Sequence, residues 1–157
     1  MSNEQEFKKS YDAVLFAASI LKRLDGGNLL TFEQRLKSQK IYYFAQVFGI
    51  APTYNFNLYL RGPYSPDLTY DLFKLKAKKI DVKSDEFVAE ELERKFKSLK
   101  EFIKGKTIRQ LEIIATWHWL IKRAQFSFVE AKKKIIEMKD AKEDEIIFAS
   151  NCVKKLP

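Results

Sequence analysis

The segment 54–61 alternates apolar and polar side chains, the pattern of a strand with one buried face and one wet face. The apolar set, which we expect in the core, is Tyr54, Phe56, Leu58 and Leu60. The polar set, which we expect in solvent, is Asn55, Asn57, Tyr59 and Arg61. A single strand leaves its backbone groups unpaired, so this one needs a partner. We predict that it pairs with the short alternating segment 80–83 in a two-stranded ribbon.

A turn and a helix start follow this strand directly. Gly62 accepts backbone angles that other residues resist, and Pro63 disfavours the helical region for it, so we predict that the strand ends there. Ser65 then caps a helix whose first residue is Pro66, where a missing N–H costs nothing. Asp67 lies favourably at the positive end of the helix dipole. The predicted helix runs from Pro66 to about residue 79.

The rest of the chain carries helix signals. Apolar periodicity and turn residues predict helices over about 4–24, 31–48 and 88–104, from Thr107 onward, and over 127–138 and 141–155. Thr31 with Gln34 and Thr107 with Gln110 are capping boxes, and Ser127 and Asp140 begin further capping signatures. The helix after Thr107 is apolar almost all round, so we expect it at the centre of the fold with Trp117 or Trp119, or both, largely buried.

These elements predict one mainly α domain over residues 1–157, a compact multi-helix domain with a small two-stranded β-ribbon. The 46% hydrophobic content is enough for a substantial core. No apolar run approaches the length of a membrane span, and the first residues lack the layout of a secretory signal. We therefore expect a cytoplasmic protein without membrane association.

Motifs that carry chemistry are absent from the sequence. There is no glycine-rich phosphate loop and no nucleophile elbow, and one cysteine and one histidine give no zinc ligand set. His118 lies on the most apolar helix, where a core or helix-interface role is the favoured interpretation. Helix-end electrostatics already accounts for Asp67, so we do not interpret Asp67 and Asp71 as a cation site. We expect no enzymatic activity, no cofactor and no metal.

The net charge of +8 permits a nucleic-acid partner without requiring one. The last two helices argue against a helix-turn-helix, because acidic residues at 143–145 would meet the phosphates. The alternative is a winged-helix-like arrangement, with strands 54–61 and 80–83 as the wing and the second helix, through Gln34, Ser38 and Gln39, as the reader. The residues that would contact phosphates are Arg35, Arg61, Lys74 and Lys78.

Three pieces of the sequence resemble a protein family. They are the run 39–44 (Gln-Lys-Ile-Tyr-Tyr-Phe), the strand and turn 56–68 with Gly-Pro-Tyr-Ser-Pro at its centre, and the run 111–116 with the final capped helix pair. Together they resemble the YwgA-type bacterial and archaeal proteins. More distantly, the first two resemble the SocA-like or Panacea antitoxin domain, although this chain has residues 57–60 where that domain tends to carry a tryptophan. The resemblance implies a mainly helical domain without assigned catalytic residues. For the antitoxin relatives it implies binding to toxic proteins.

The function that we predict is a non-enzymatic protein-binding or regulatory domain, with an antitoxin-like role as one form of it. Its partner would be another protein or a second copy of the chain. Tyrosine and arginine are common interface anchors, so we expect the contact surface on the wet face of the strand and the turn. Its residues are Asn55, Asn57, Tyr59, Arg61 and Tyr64. The alternative function is a basic, winged-helix-like nucleic-acid-binding protein.

Overall fold

The fold is mainly helical, with one small antiparallel β-hairpin. We describe it from a computed structural model that covers residues 7–82 and 89–157. In chain order the elements are α1 (Tyr11–Arg23), α2 (Phe32–Val47), β1 (Asn57–Tyr59), β2 (Gly62–Tyr64), α3 (Pro66–Ala77), α4 (Glu90–Ile103), α5 (Ile108–His118), a π-helical turn (Trp119–Arg123), α6 (Phe128–Lys139) and α7 (Glu143–Lys154). The predicted class, a multi-helix domain with a two-stranded ribbon, is confirmed.

Two helices form the centre of the domain. Every residue of α5 from Leu111 to His118 is buried, as the all-round apolar pattern predicted, and Trp117 is almost completely covered. Helix α2 is equally central, with residues 38–45 all buried. It packs against α1, α3, α4, α5 and β2, while α5 also packs against α6 and α7. The remaining helices therefore surround the α2–α5 pair.

Local capping chemistry fixes most of the helix starts. Both predicted capping boxes are present, with reciprocal side-chain and backbone hydrogen bonds at Thr31 and Thr107. The hydroxyl of Ser65 accepts the N–H of Leu68, and Ser127 caps α6 in the same way. The prediction that Asp140 caps the start of the last helix is wrong. Asp140 lies in the left-handed region at φ 50° and ends α6, while α7 begins at Glu143.

The predicted partner of the strand is wrong. Asn57–Tyr59 pairs with Gly62–Tyr64, so the first strand ends at Tyr59, the chain turns back at Leu60 and Arg61, and Gly62 begins the second strand instead of ending the first. Residues 80–82 are not a strand; the N–H of Ile80 bonds to the carbonyl of Leu75 at the end of α3, and Lys83 lies outside the described residues. A two-residue loop costs far less entropy to close than a return after twenty residues, so the local pairing wins.

One helix boundary and the burial of one residue also differ from the sequence prediction. Helix α1 begins at Tyr11, after an N-cap at Ser10, while the predicted start near residue 4 lies outside the described residues. Leu60, predicted in the core, is 73% exposed, because it occupies the hairpin tip, where alternation no longer applies. Within the described ranges, none of the helices combines the length and the apolar composition needed to cross a membrane.

Candidate functional site

The hairpin, residues 57–64, lies directly on the two central helices. Gly62 has φ +93°, and a Cβ at this position would come within 3.0 Å of the Thr116 hydroxyl on α5. The same position faces the ammonium of Lys40 on α2. A side chain would therefore lift the hairpin off the core, which explains why glycine is needed here.

Two glutamines of α2 hold the chain on either side of the hairpin. The Gln46 amide accepts the N–H of Tyr54 at 2.7 Å and donates to the Tyr54 carbonyl at 3.2 Å. The Gln39 amide does the same for Ser65, with both distances at 2.9 Å, and also donates to the Thr69 hydroxyl. Buried backbone groups need hydrogen-bond partners. The sheet in the described part of the chain has two strands, so the glutamines of α2 supply the partners that a third strand would otherwise provide.

Buried charges hold the hairpin between these two points. The ammonium of Lys40 donates to the carbonyl of Pro63 at 2.6 Å, and that of Lys139 donates to the carbonyl of Leu60 at 3.2 Å. Lys139 also forms an ion pair with Glu112 at 2.5 Å, and both side chains are at least 95% buried. We call Lys40, Glu112 and Lys139 the buried charge cluster. It connects α2, α5 and α6 to the hairpin backbone.

The buried charge cluster contains two ammonium groups and one carboxylate. Burial is the main cause that lowers the pKa of Lys40 to about 7, and the charge of Lys139 lowers it further, while Glu112 opposes the shift. Burial also lowers the pKa of Lys139, against the effect of Glu112. Lys40 is therefore largely neutral in mildly alkaline solution, where its amine still donates to Pro63.

This neutralisation should make the fold more stable as the pH rises from 7 to 9. The unfolded chain keeps the Lys40 proton up to about 10.5 and the folded chain loses it near 7, so the unfolded state binds more protons in this window. We expect Lys40 to contribute about 2 kcal/mol to this rise. Urea denaturation at both pH values measures it, and Lys40→Met should give a smaller rise. An equal rise in both proteins would contradict the assignment.

A further anchor ties the start of the hairpin segment to α3. The Tyr54 hydroxyl donates to the Asp71 carboxylate at 2.6 Å, and Asp71 also accepts the backbone N–H groups of Lys8 and Lys9. Burial and this carboxylate raise the pKa of Tyr54. Asp71 is thus a structural acceptor.

The five residues predicted for protein binding lie in different environments. Asn57, Tyr59 and Arg61 are exposed on the hairpin. Tyr64 is half-buried, and its hydroxyl bonds to that of Thr69. Asn55 is exposed but lines a pocket between α2 and α5, beside His118. Arg61 stacks over the ring of Phe32 at the start of α2, at 5.6 Å. The exposed surface at the tip therefore consists of Tyr59, Leu60, Arg61 and Phe32, and we call this set the tip surface.

The residues predicted for phosphate contact have structural partners as well. Arg35 donates to the carbonyl of Leu29 at 2.9 Å, and the Lys74 ammonium lies over the ring of Tyr70. Lys78 caps the end of α3, and Arg61 belongs to the tip surface. The second helix cannot act as a reader, because Ser38 and Gln39 are buried and Gln34 is used in the capping box.

Comparisons with protein-family models, with curated proteins and with solved structures found no significant match to this chain. The resemblance to the YwgA-type and SocA-like proteins therefore stays a prediction. Within residues 7–82 and 89–157, no group of histidine, cysteine, aspartate or glutamate is arranged to hold a metal ion. The single cysteine, Cys152, is buried.

The buried charge cluster is not among the features predicted from the sequence. Lysines usually lie on solvated helix faces, and their pattern in this chain favours that interpretation. Glu112 carries a usable signal, since an acid within an all-round apolar helix must be buried and must have a cationic partner. Lys40 carries a similar one, since it stands directly before the apolar run 41–45. Nothing in the sequence indicates which lysine reaches Glu112.

Proposed function

We propose that this chain is a non-enzymatic protein-binding module and that the tip surface is its contact site. One observation carries the proposal. The hairpin presents Tyr59, Leu60 and Arg61 to solvent, while hydrogen bonds from the buried side chains of Lys40 and Lys139 fix the backbone beneath them. A rigid backbone lowers the entropy lost on binding, and tyrosine and arginine are typical anchors of protein interfaces.

The charge of the chain favours an acidic protein as the partner. A net charge of +8 opposes association with a second copy, and it attracts a protein that offers carboxylates around an apolar cleft. Such a cleft would receive Leu60, with Arg61 next to a carboxylate. A groove of about 320 Å³ lies beside the tip, and its lining includes Phe32, Leu36 and Arg61 together with Glu33, Glu112 and Arg109. Arg109 is already paired with Glu145, so Arg61 is the cation that this side offers to a partner carboxylate.

The resemblance to antitoxin domains supports a narrower form of this proposal, in which the partner is a toxic protein that the module neutralises. The proposal includes a cytoplasmic location, which is inferred from the sequence. The nucleic-acid alternative remains an outcome of the test below.

Photo-crosslinking in the native cell tests the proposal even though the partner is unidentified. A photoreactive phenylalanine analogue at position 60 should yield a discrete crosslinked protein. The control is the same analogue at position 129, because Val129 is as exposed as Leu60, at 75% against 73%. Val129 also lies far from the tip surface: it is about 15 Å along α6, at 1.5 Å per residue, from Lys139, which bonds to the carbonyl of Leu60. We expect no discrete product there.

The identified partner then allows a quantitative measurement. Tyr59→Ala with Arg61→Ala should weaken binding by more than roughly 2 kcal/mol, about 30-fold, in calorimetry. The melting temperature should change little, since both side chains are exposed. Equal crosslinking at positions 60 and 129, or a large fall in melting temperature with binding intact, would contradict the proposal. Duplex DNA binding that weakens steeply with salt would favour the alternative.

A further inference from the structure

A second concave site lies at the opposite end of α2 from the tip surface. The pocket measures about 370 Å³ and is lined by residues of α2, the segment before β1, the end of α5 and the π-helical turn. Its lining residues are Tyr43, Gln46, Val47, Thr53, Tyr54, Asn55, Phe56, His118, Arg123 and Pro157. Phe32 and Gln46 are about 20 Å apart along α2, at 1.5 Å per residue, so this pocket is independent of the tip surface.

His118 and Tyr43 form a polar pair in the wall of this pocket. The Tyr43 hydroxyl lies 2.6 Å from Nδ1 of His118, and both side chains are buried. Burial raises the pKa of Tyr43, so the phenol keeps its proton and can donate it to Nδ1. Nε2 then carries the imidazole proton. Among the described residues, Nε2 of His118 has no hydrogen-bond partner. Every fully buried side-chain nitrogen or oxygen of those residues does have a partner, so Nε2 is not fully buried. Nε2 is therefore the edge of the ring that reaches the pocket.

The electrostatics of the pocket favour an anion. The side chains that line it include Arg123 and no aspartate or glutamate, and the main-chain carboxylate of Pro157, the last residue of the sequence, is the one anionic group among the lining residues. Burial is the main cause that lowers the pKa of His118 to about 4, and the charges of Lys122 and Arg123 lower it further. Arg123 also acts on Tyr43. The imidazole is therefore neutral near pH 7 and lies in a positive field that a bound anion would offset.

The π-helical turn determines where Arg123 lies. The N–H of Ala124 bonds to the carbonyl of Trp119 at 2.9 Å, five residues back, and the Arg123 guanidinium stacks on the Trp119 ring at 4.9 Å. Such turns are rare and occur frequently at functional sites. Here the turn follows His118 directly, and Arg123 and His118 line the same pocket.

We propose that this pocket binds a small oxyanion, a carboxylate or a phosphate group. Arg123 supplies the charge, and Nε2–H of His118 donates a hydrogen bond. Thr53 and Asn55, both exposed at the rim, supply neutral hydrogen-bonding groups. Asn55 then belongs to this site rather than to the tip surface.

His118 is the only histidine of the chain, so its Cε1–H signal in NMR reports on the pocket without ambiguity. Inorganic phosphate and acetate, titrated separately at pH 7 against sodium chloride of equal ionic strength, distinguish the two anion classes. We expect a saturable shift of the His118 signal with at least one of them and none with chloride. With phosphate bound, the pKa of His118 should rise by about one unit, because the anion stabilises the imidazolium.

Two variants with the same change in net charge complete the test. Arg123→Gln should weaken binding at least tenfold. Lys133→Gln, an exposed residue of α6 outside the lining, should change it less than threefold. Both positions are exposed, and thermal melting checks that both variants fold. The proposal is overturned if phosphate and acetate act only as chloride does, or if the two variants weaken binding equally.

Discussion

Lys139→Met should destabilise the fold by roughly 3–5 kcal/mol, because it breaks a buried ion pair and removes the ammonium that bonds the carboxylate of Glu112. The substitution also removes the donor to the Leu60 carbonyl, so the hairpin should loosen with it. Urea denaturation measures the loss. Adding Glu112→Gln should restore much of it, since the buried carboxylate charge is then gone.

Lys132→Met is the matched control for this substitution. Lys132 lies two turns earlier on α6 and pairs with Glu143, but that pair is solvent-exposed. Exposed pairs contribute about 0–1 kcal/mol, so this variant should remain close to the parent protein. Equal stability of the two variants would show that burial of the Lys139–Glu112 pair has no energetic consequence.

Gly62→Ala should cost roughly 2–5 kcal/mol, for two reasons. The backbone at φ +93° is strained for any L side chain, and the added Cβ would overlap the Thr116 hydroxyl. Adding Thr116→Ala to this variant should restore the part of the lost folding free energy that comes from the overlap with the Thr116 hydroxyl. Denaturation gives the energies, and the NMR signals of residues 57–64 should show whether the hairpin moves.

Gly105→Ala separates backbone strain from overlap. Gly105 has a similar φ of +76°, but a Cβ there meets no atom of the described residues within 4 Å. This variant should lose only about 1 kcal/mol, from backbone strain alone. If the losses at positions 62 and 105 were equal, close approach of the hairpin to α5 would not explain Gly62.

The parts of the fold that could be predicted depend on short-range chemistry. The capping boxes at Thr31 and Thr107 were correct because each depends on groups three residues apart. The central position of α5 was correct because an apolar surface all round a helix has to be buried. Helix α2 was different. Its polar residues Gln39 and Lys40 concealed a central helix, since side-chain polarity does not indicate whether a buried partner exists.

Errors in the hairpin have a different cause. Alternation identified the strand but gave no information about its partner, and Gly62 with Pro63 was interpreted as the end of a strand, so 80–83 was the segment predicted to pair with it. Turn geometry decided the competition, and it also placed Leu60 at the tip. The candidate pocket at His118 could not be predicted, because it brings the π-helical turn against α2 and the segment before β1, which are both far from that turn in sequence.

The two glutamines of α2 restrict how this protein can change during evolution. Gln39 and Gln46 are seven residues apart, about 10 Å along a helix, and each pairs with both backbone groups of one residue, as an adjacent strand would do. Inserting or deleting one residue between positions 54 and 65 would present the wrong residue to one glutamine and reverse the faces of the strand. On the proposed function, relatives that bind other partners should therefore differ at positions 59–61 by substitution, with the length of this segment unchanged.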